Sequence, residues 1–185
     1  MKILGISGSL KSTSSNTSIL LASKKLMKEN MELEIYEHLV NLPPFNPDND
    51  GHMPPAFVKQ FRDALKEADG VLISTPEYAH GIPGSLKNAI DWTVSSGEFV
   101  DKPVAVITGS ASFTGGDKAL ASLMQTLEAV SANIPNDGTL TIPSINSKVD
   151  SEGNLADVET AEQIRLVLEA LGTTISANPE NTSAI

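Results

Sequence analysis

The sequence predicts an open three-layer α/β sandwich, with a five-stranded parallel sheet of order 2-1-3-4-5 and helices on both faces. Three observations predict it. Short apolar runs alternate with longer segments of helical periodicity along the chain. Two of those segments, 70–75 and 103–108, carry unbroken apolar runs, Val71-Leu72-Ile73 and Val104-Ala105-Val106-Ile107, as strands buried on both faces do. Repeated strand–helix units connect in parallel with right-handed crossovers, and five of them suit this strand order. The length of 185 residues fits one domain, assigned to 1–175, followed by a polar tail at 176–185.

The elements follow in order. Lys2–Ser7 is an apolar run ending in Gly-Ser and reads as the first buried strand. Residues 9–16 are rich in Ser, Thr and Asn, forming a loop that caps a helix expected over 17–29. Residues 32–36 alternate polar and apolar as a second strand. The stretch 38–55 is irregular and carries Pro43, Pro44, Pro47 and Pro54; connections of this length are usually functional or mobile. A helix over 56–68 uses Phe57, Phe61, Ala64 and Leu65, and the third strand is Gly70–Thr75. A second irregular turn, 76–83, leads into a helix over 84–94. The fourth strand, 103–108, runs into a Gly/Ser/Thr loop at 109–116 and a helix over 117–132. A weak strand at Thr139–Ile142 and a C-terminal helix over 156–171 complete the pattern.

Composition removes several classes of function. With no cysteine there is no disulfide, thiolate metal ligand or cysteine nucleophile, and a cytoplasmic location is the simplest expectation. No apolar run is long enough to span a bilayer, and Met1 leads directly into a strand pattern without a signal peptide. The net charge of -10 opposes binding to a nucleic-acid backbone and suits solubility. His38 and His52 form no metal cluster with Asp48 or Asp50, and Ser7 and Ser9 lack a hydrolase triad's partners.

In a sheet of order 2-1-3-4-5, ligands bind where the strand order switches, beyond the carboxyl ends of the strands. The loops after the first, third and fourth strands meet there, and they are the three chemically unusual segments of the chain. The first contains Gly8-Ser9-Leu10-Lys11-Ser12-Thr13-Ser14-Ser15-Asn16-Thr17. A helix N-terminus with unpaired N–H groups, hydroxyl donors and a lysine suits a phosphate. The glycine spacing matches neither the dinucleotide fingerprint nor a Walker A loop, so a terminal monophosphate fits better than a bridging pyrophosphate. An ordinary N-cap at Ser15 or Asn16 accounts for the same residues.

The second loop and the helix after it read Pro76-Glu77-Tyr78-Ala79-His80-Gly81-Ile82-Pro83-Gly84-Ser85-Leu86-Lys87-Asn88-Ala89-Ile90-Asp91-Trp92. This segment resembles the signature Pro-Glu-Tyr-Asn-x-x-Ile-Pro-Gly-x-Leu-Lys-Asn-Ala-Ile-Asp-Trp of the NADPH-dependent FMN reductase family. The first loop is similar to that family's Gly-Ser-Leu-Arg-x-x-Ser-x-Asn. Lys11 stands in place of the motif's arginine and Ala79 in place of its asparagine.

The resemblance implies a flavodoxin-like fold, bound FMN, a homodimer or homotetramer, and hydride transfer from NADPH or NADH through FMN to a small acceptor. Acceptors in that family are flavins, quinones, azo dyes and metal oxyanions. It implies phosphate contacts from Ser9, Lys11, Ser14, Ser15, Asn16 and Thr17. It implies ring contacts from Pro76, Glu77, Tyr78 and Ala79, and from Gly109, Ser110 and Gly115 on the other side. No catalytic side chain is assigned, since hydride transfer to a flavin requires no protein acid. Leu86, Ala89, Ile90 and Trp92 are expected in the core or at a subunit contact, and Lys87 with Asp91 as a helix-surface pair. Two alternatives stay open: an electron carrier with no nicotinamide site, and a relative of the fold that serves only as a binding module.

Overall fold

The computed structural model describes residues 1–150 and 152–178. Five parallel strands, β1 (Lys2–Ser7), β2 (Glu32–Ile35), β3 (Gly70–Thr75), β4 (Val104–Gly109) and β5 (Thr139–Ile142), form one sheet in the order β2-β1-β3-β4-β5. Every neighbouring pair is parallel, and the register runs from Ile3 beside Gly70 to Ser7 beside Ser74 in the central pair.

Each face of the sheet has its own core. Helices α2 (Ala56–Glu67), α3 (Gly84–Asp91) and α4 (Asp117–Ala129) pack Phe61, Leu65, Leu86, Ile90, Leu123 and Leu127 against Leu4, Ile6, Val71, Ile73, Val104 and Val106. On the other face, α1 (Ser15–Leu26) and α5 (Val158–Ala177) cover Ile3, Leu72, Ala105 and Ile107 with Ile19, Leu20, Ile164 and Leu171. Successive side chains of β3 and β4 thus enter opposite cores, which is why Val71–Ile73 and Val104–Ile107 are unbroken apolar runs.

Helix ends differ from the sequence reading by up to three residues in α1, α3 and α4, and two segments differ more. The helix expected to stop at Leu171 continues through Gly172-Thr173-Thr174 to Ala177, two residues beyond the expected domain end at 175. Ile175 is buried, and Gly172 lies close to Met31, where a Cβ would sit 3.3 Å from Sδ. Tertiary packing there overrides the weak helix propensity of Gly-Thr-Thr. Of the polar tail expected at 176–185, residues 179–185 lie outside the described residues.

The proline-rich stretch 38–55 is the other difference, because it is pinned at several points. Asn88 accepts from the Phe45 N–H at 2.7 Å and donates to the Pro43 carbonyl at 2.9 Å. Trp92 donates its Nε1–H to the same carbonyl at 2.8 Å and packs edge-on against Phe45. Further along, Arg62 joins Asp50 at 2.6 Å and reaches the Trp92 carbonyl, while Ser95 donates to the other Asp50 oxygen. Among the described residues no helix is long and apolar enough to cross a membrane.

Candidate functional site

The first loop leaves β1 at Ser7 and turns against β3, where the Gly8 N–H donates to the Ser74 carbonyl at 2.8 Å. Glycine is required at position 8, since a Cβ would fall 2.2 Å from Thr75 Oγ1. The helix cap is Ser14, one residue before the expected positions; its Oγ accepts from the Asn16 N–H and keeps its own hydrogen free to donate. Ser9 is buried and accepts from the Lys11 N–H, also leaving its hydroxyl hydrogen available. Among the described residues, the backbone N–H groups of Ser12, Thr13, Ser15 and Thr17 have no protein acceptor, and the exposed Lys11 ammonium has no ion pair. A cavity of about 400 Å³ opens beside this turn, lined by Ser12, Thr13, Ser15, Ser18 and Asn146 among others.

Asn16 has a structural role besides the phosphate contact expected of it. Its side chain is buried and bonded inside the protein at both ends of its amide. Nδ2 donates to the Gly109 carbonyl at 3.1 Å, and Oδ1 accepts from Ser74 Oγ at 3.1 Å. This one residue therefore joins the start of α1 to the carboxyl ends of β3 and β4. The second Nδ2 hydrogen has no acceptor among the described residues, so the amide frames the loop and keeps one donor that a phosphate can use.

After β3 the chain forms a tight hairpin. Tyr78 and Gly81 exchange two backbone hydrogen bonds of 3.0 Å, and the two residues between them, Ala79 and His80, are left-handed with φ of 50° and 60°. Two consecutive positive φ angles make this a type I′ turn, whose preferred residues are Asn and Gly. The motif's asparagine at position 79 is thereby explained by backbone geometry, and Ala79 occupies the position under strain. Tyr78 is 55% exposed at the base of this turn. Glu77 points back toward the protein: Oε2 accepts from the N–H groups of Lys118 and Ala119, at 3.1 and 3.2 Å, in the first turn of α4.

The third loop, 109–116, is stitched to the segment after β5. Ser110 N–H donates to the Ile142 carbonyl, Ile145 N–H to Ser110, and Ser144 N–H to Ser112. A Cβ at Gly109 would lie 2.6 Å from Ile145 Cδ1, and one at Gly115, where φ is 67°, would lie 2.9 Å from the backbone of Ile142. Internal packing therefore dictates both glycines. The N–H groups of Ala111, Phe113 and Thr114 have no acceptor among the described residues. The three loops thus follow the carboxyl ends of β1, β3 and β4, and the first and third carry N–H groups without acceptors among the described residues.

The family model for NADPH-dependent FMN reductases matches residues 1–147. The chain belongs to that family. It is 36% identical over 173 residues to an NAD(P)H-dependent FMN reductase of Pseudomonas aeruginosa, covering 92% of this chain and 93% of that protein. It is 35% identical over 178 residues to the NADPH:quinone oxidoreductase of Arabidopsis thaliana, with 92% and 90% covered. The structure of the flavoenzyme NAD(P)H:(acceptor) oxidoreductase FerB from Paracoccus denitrificans superposes with a TM-score of 0.84 at 28% identity, covering 95% and 97%.

Family membership makes the chain a flavodoxin-like, FMN- and NAD(P)H-dependent oxidoreductase. The site chemistry fits that cofactor. A terminal phosphate needs several donors and a nearby positive charge, and the first loop supplies free N–H groups, free hydroxyl hydrogens and an unpaired lysine. Sequence reasoning missed two residues here. Phe113, 89% exposed on the third loop, was hidden in a run that reads as Gly, Ser and Thr. Asn146 lines the cavity beside the first loop and accepts from Ser15 Oγ at 3.4 Å, and nothing local in the sequence marks it.

Proposed function

We propose that this reductase holds the FMN phosphate on the first turn of α1 and the flavin ring between the 76–83 hairpin and the 109–116 loop. The observation that carries this reading is the set of unpaired donors on the first loop, lying at the switch point between β1 and β3. Ser9, Lys11, Ser14, Ser15 and Thr17 act on the phosphate through hydroxyl, N–H and ammonium groups, and Asn16 fixes the loop and offers its second Nδ2 hydrogen. FMN, when bound, supplies the hydride-accepting and electron-donating chemistry. The chain orients it and offers N–H groups of the 109–116 loop where negative charge gathers. Tyr78 and Phe113 present exposed apolar faces that shape entry of the nicotinamide and of a small acceptor such as a flavin or quinone.

The protein acts as a homo-oligomer in the cytoplasm. Trp92, expected near a subunit contact, is wholly buried within its own chain, so the contact falls to exposed apolar residues of the neighbouring surface such as Val40, Met53, Phe57 and Val94. The lack of cysteine is consistent with a reducing compartment.

The test is the visible spectrum of the purified protein, followed anaerobically on adding NADPH or NADH. A yellow protein that bleaches within seconds and recolours on adding a quinone supports the proposal. One that NADPH and NADH both fail to bleach is an electron carrier, and a colourless one that rejects FMN defeats the site.

A further inference from the structure

We infer that Glu77 is a positioning residue that holds the two ring-flanking loops, 76–83 and 109–116, at a fixed separation. It does so by capping the helix that follows the second loop. The inference rests on the flavin site proposed above.

Helix α4 lacks a side-chain cap of its own. Its N-cap is Gly116, with φ 90° and no side chain to accept a hydrogen bond. Glycine is needed there, because a Cβ would meet Thr108 Cβ at 3.3 Å on a left-handed backbone. The second and third N–H groups of the helix would otherwise be orphaned, and Glu77 Oε2 accepts both. A carboxylate is favoured there by hydrogen bonding and by the partial positive charge of the helix end. The cap comes from 41 and 42 residues earlier in the chain, so it also ties one loop to another.

The hairpin needs such a tie. Tyr78, Ala79 and His80 are exposed, and two of the three have left-handed backbones, so packing does little to set the angle of the turn. The Glu77 side chain, by contrast, is only 16% exposed. Its second oxygen, Oε1, lies 3.4 Å from His80 Nδ1 at the tip of the same hairpin. Oε2 is thus bonded to the start of α4, directly after the second loop, while Oε1 faces the tip of its own hairpin. A Cβ at position 116 would sit 3.7 Å from Glu77 Cβ, so the loops are nearly in contact at this point.

Glu77→Ala and Glu77→Gln test this beside the wild type in two measurements. Amide hydrogen exchange of the flavin-free protein reads the clamp itself. In Glu77→Ala the amides of Lys118, Ala119, Tyr78 and Gly81 exchange about tenfold faster, while those of β1 and β3 keep their protection. Titration with FMN, followed by flavin fluorescence and visible circular dichroism, reads the consequence. Glu77→Ala binds about tenfold more weakly with an altered dichroism band, and Glu77→Gln, which keeps one acceptor oxygen, lies between it and the wild type.

Faster exchange confined to Lys118 and Ala119, with wild-type dichroism, reduces Glu77 to a helix cap and overturns the proposal. Unchanged exchange at all four amides overturns it as well, even if FMN binding weakens. If the wild type takes up no FMN while Glu77→Ala still loosens both loops, the flavin site fails and the clamp stands.

Discussion

The two halves of the 76–92 segment do opposite work. The first half, 76–83, turns outward: Tyr78, Ala79 and His80 are exposed, the turn closes on itself between Tyr78 and Gly81, and Glu77 ties it to α4. The second half turns inward. Leu86, Ala89, Ile90 and Trp92 are at most 1% exposed, while Asn88 and Trp92 satisfy the backbone of the 38–55 loop. A continuous sequence motif therefore mixes groups for the ligand with groups for the scaffold. The contrast also reverses an intuition about loops: the proline-rich one is held by buried side chains, and the short one carries the strain. What fixes a loop is whether neighbouring elements satisfy its polar groups.

Trp92→Ala should have the largest effect on that division. It empties the centre of one core and removes a donor from Pro43 and a ring from Phe45. A loss of roughly 3–5 kcal/mol is expected in chemical denaturation. Exchange protection should fall in the 38–55 loop and stay unchanged in the 76–83 hairpin. Loosening of both to the same degree would mean that the halves are not separate.

Asp50→Asn comes next. The wild-type carboxyl is held below its ordinary value of 3.8, mainly by the Ser95 hydroxyl and with help from Arg62, against the opposing effect of burial. A group whose folded pKa is depressed stabilises the protein above the unfolded value, and that contribution disappears as pH falls through the folded value. The variant should therefore be less stable by roughly 1.5–3 kcal/mol at neutral pH. Its deficit in Tm should shrink below about pH 3.8. A deficit that is constant with pH would show that Asp50 acts by shape alone.

Asn16→Ala carries the contrast to the phosphate loop. A residue that only touched phosphate would leave the flavin-free protein untouched. Asn16 instead joins Ser74 and Gly109, so the flavin-free variant should lose roughly 1–3 kcal/mol and also bind FMN more weakly. Asn16→Asp should be worse, since it sets a second acceptor against the Gly109 carbonyl. Weak FMN binding with wild-type stability would show that Asn16 acts on the phosphate and not on the frame.

Much of this was legible in the sequence. The bounds of β1, β3 and β5 coincide with apolar runs cut off by Gly, Ser, Thr or Pro, and five strand–helix units were enough for the sheet order. The three loops were recognisable because hydroxyls and glycines interrupt apolar strands. The partners of their side chains were not. Asn16 reaches residues 58 and 93 positions away, Glu77 reaches across 41, and Asn88 reaches back 43. Local pattern marks a polar residue at a strand end but not which distant carbonyl or N–H it will meet. The same limit hid the extension of α5 past Gly172, where contact with Met31 matters more than propensity.

The smallest expected effect concerns Ala79, and it tests the hairpin alone. A type I′ turn needs positive φ at both central positions, and here Ala79 and His80 have 50° and 60°. Alanine pays a steric cost in that region, whereas asparagine tolerates it and keeps more order in the unfolded chain than glycine does. Ala79→Asn should therefore raise stability by about 0.5 kcal/mol in thermal or chemical unfolding. The side chain at 79 is exposed, so the gain should appear without any change in the cores. Ala79→Gly relieves the same strain but adds freedom to the unfolded chain, so it should gain less. FMN affinity should hold in both variants, because the turn keeps its shape and Glu77 keeps its bonds to α4. If Ala79→Asn instead destabilises the protein, the left-handed geometry at the tip is wrong, and the exposed half of the motif is held by something other than its own backbone.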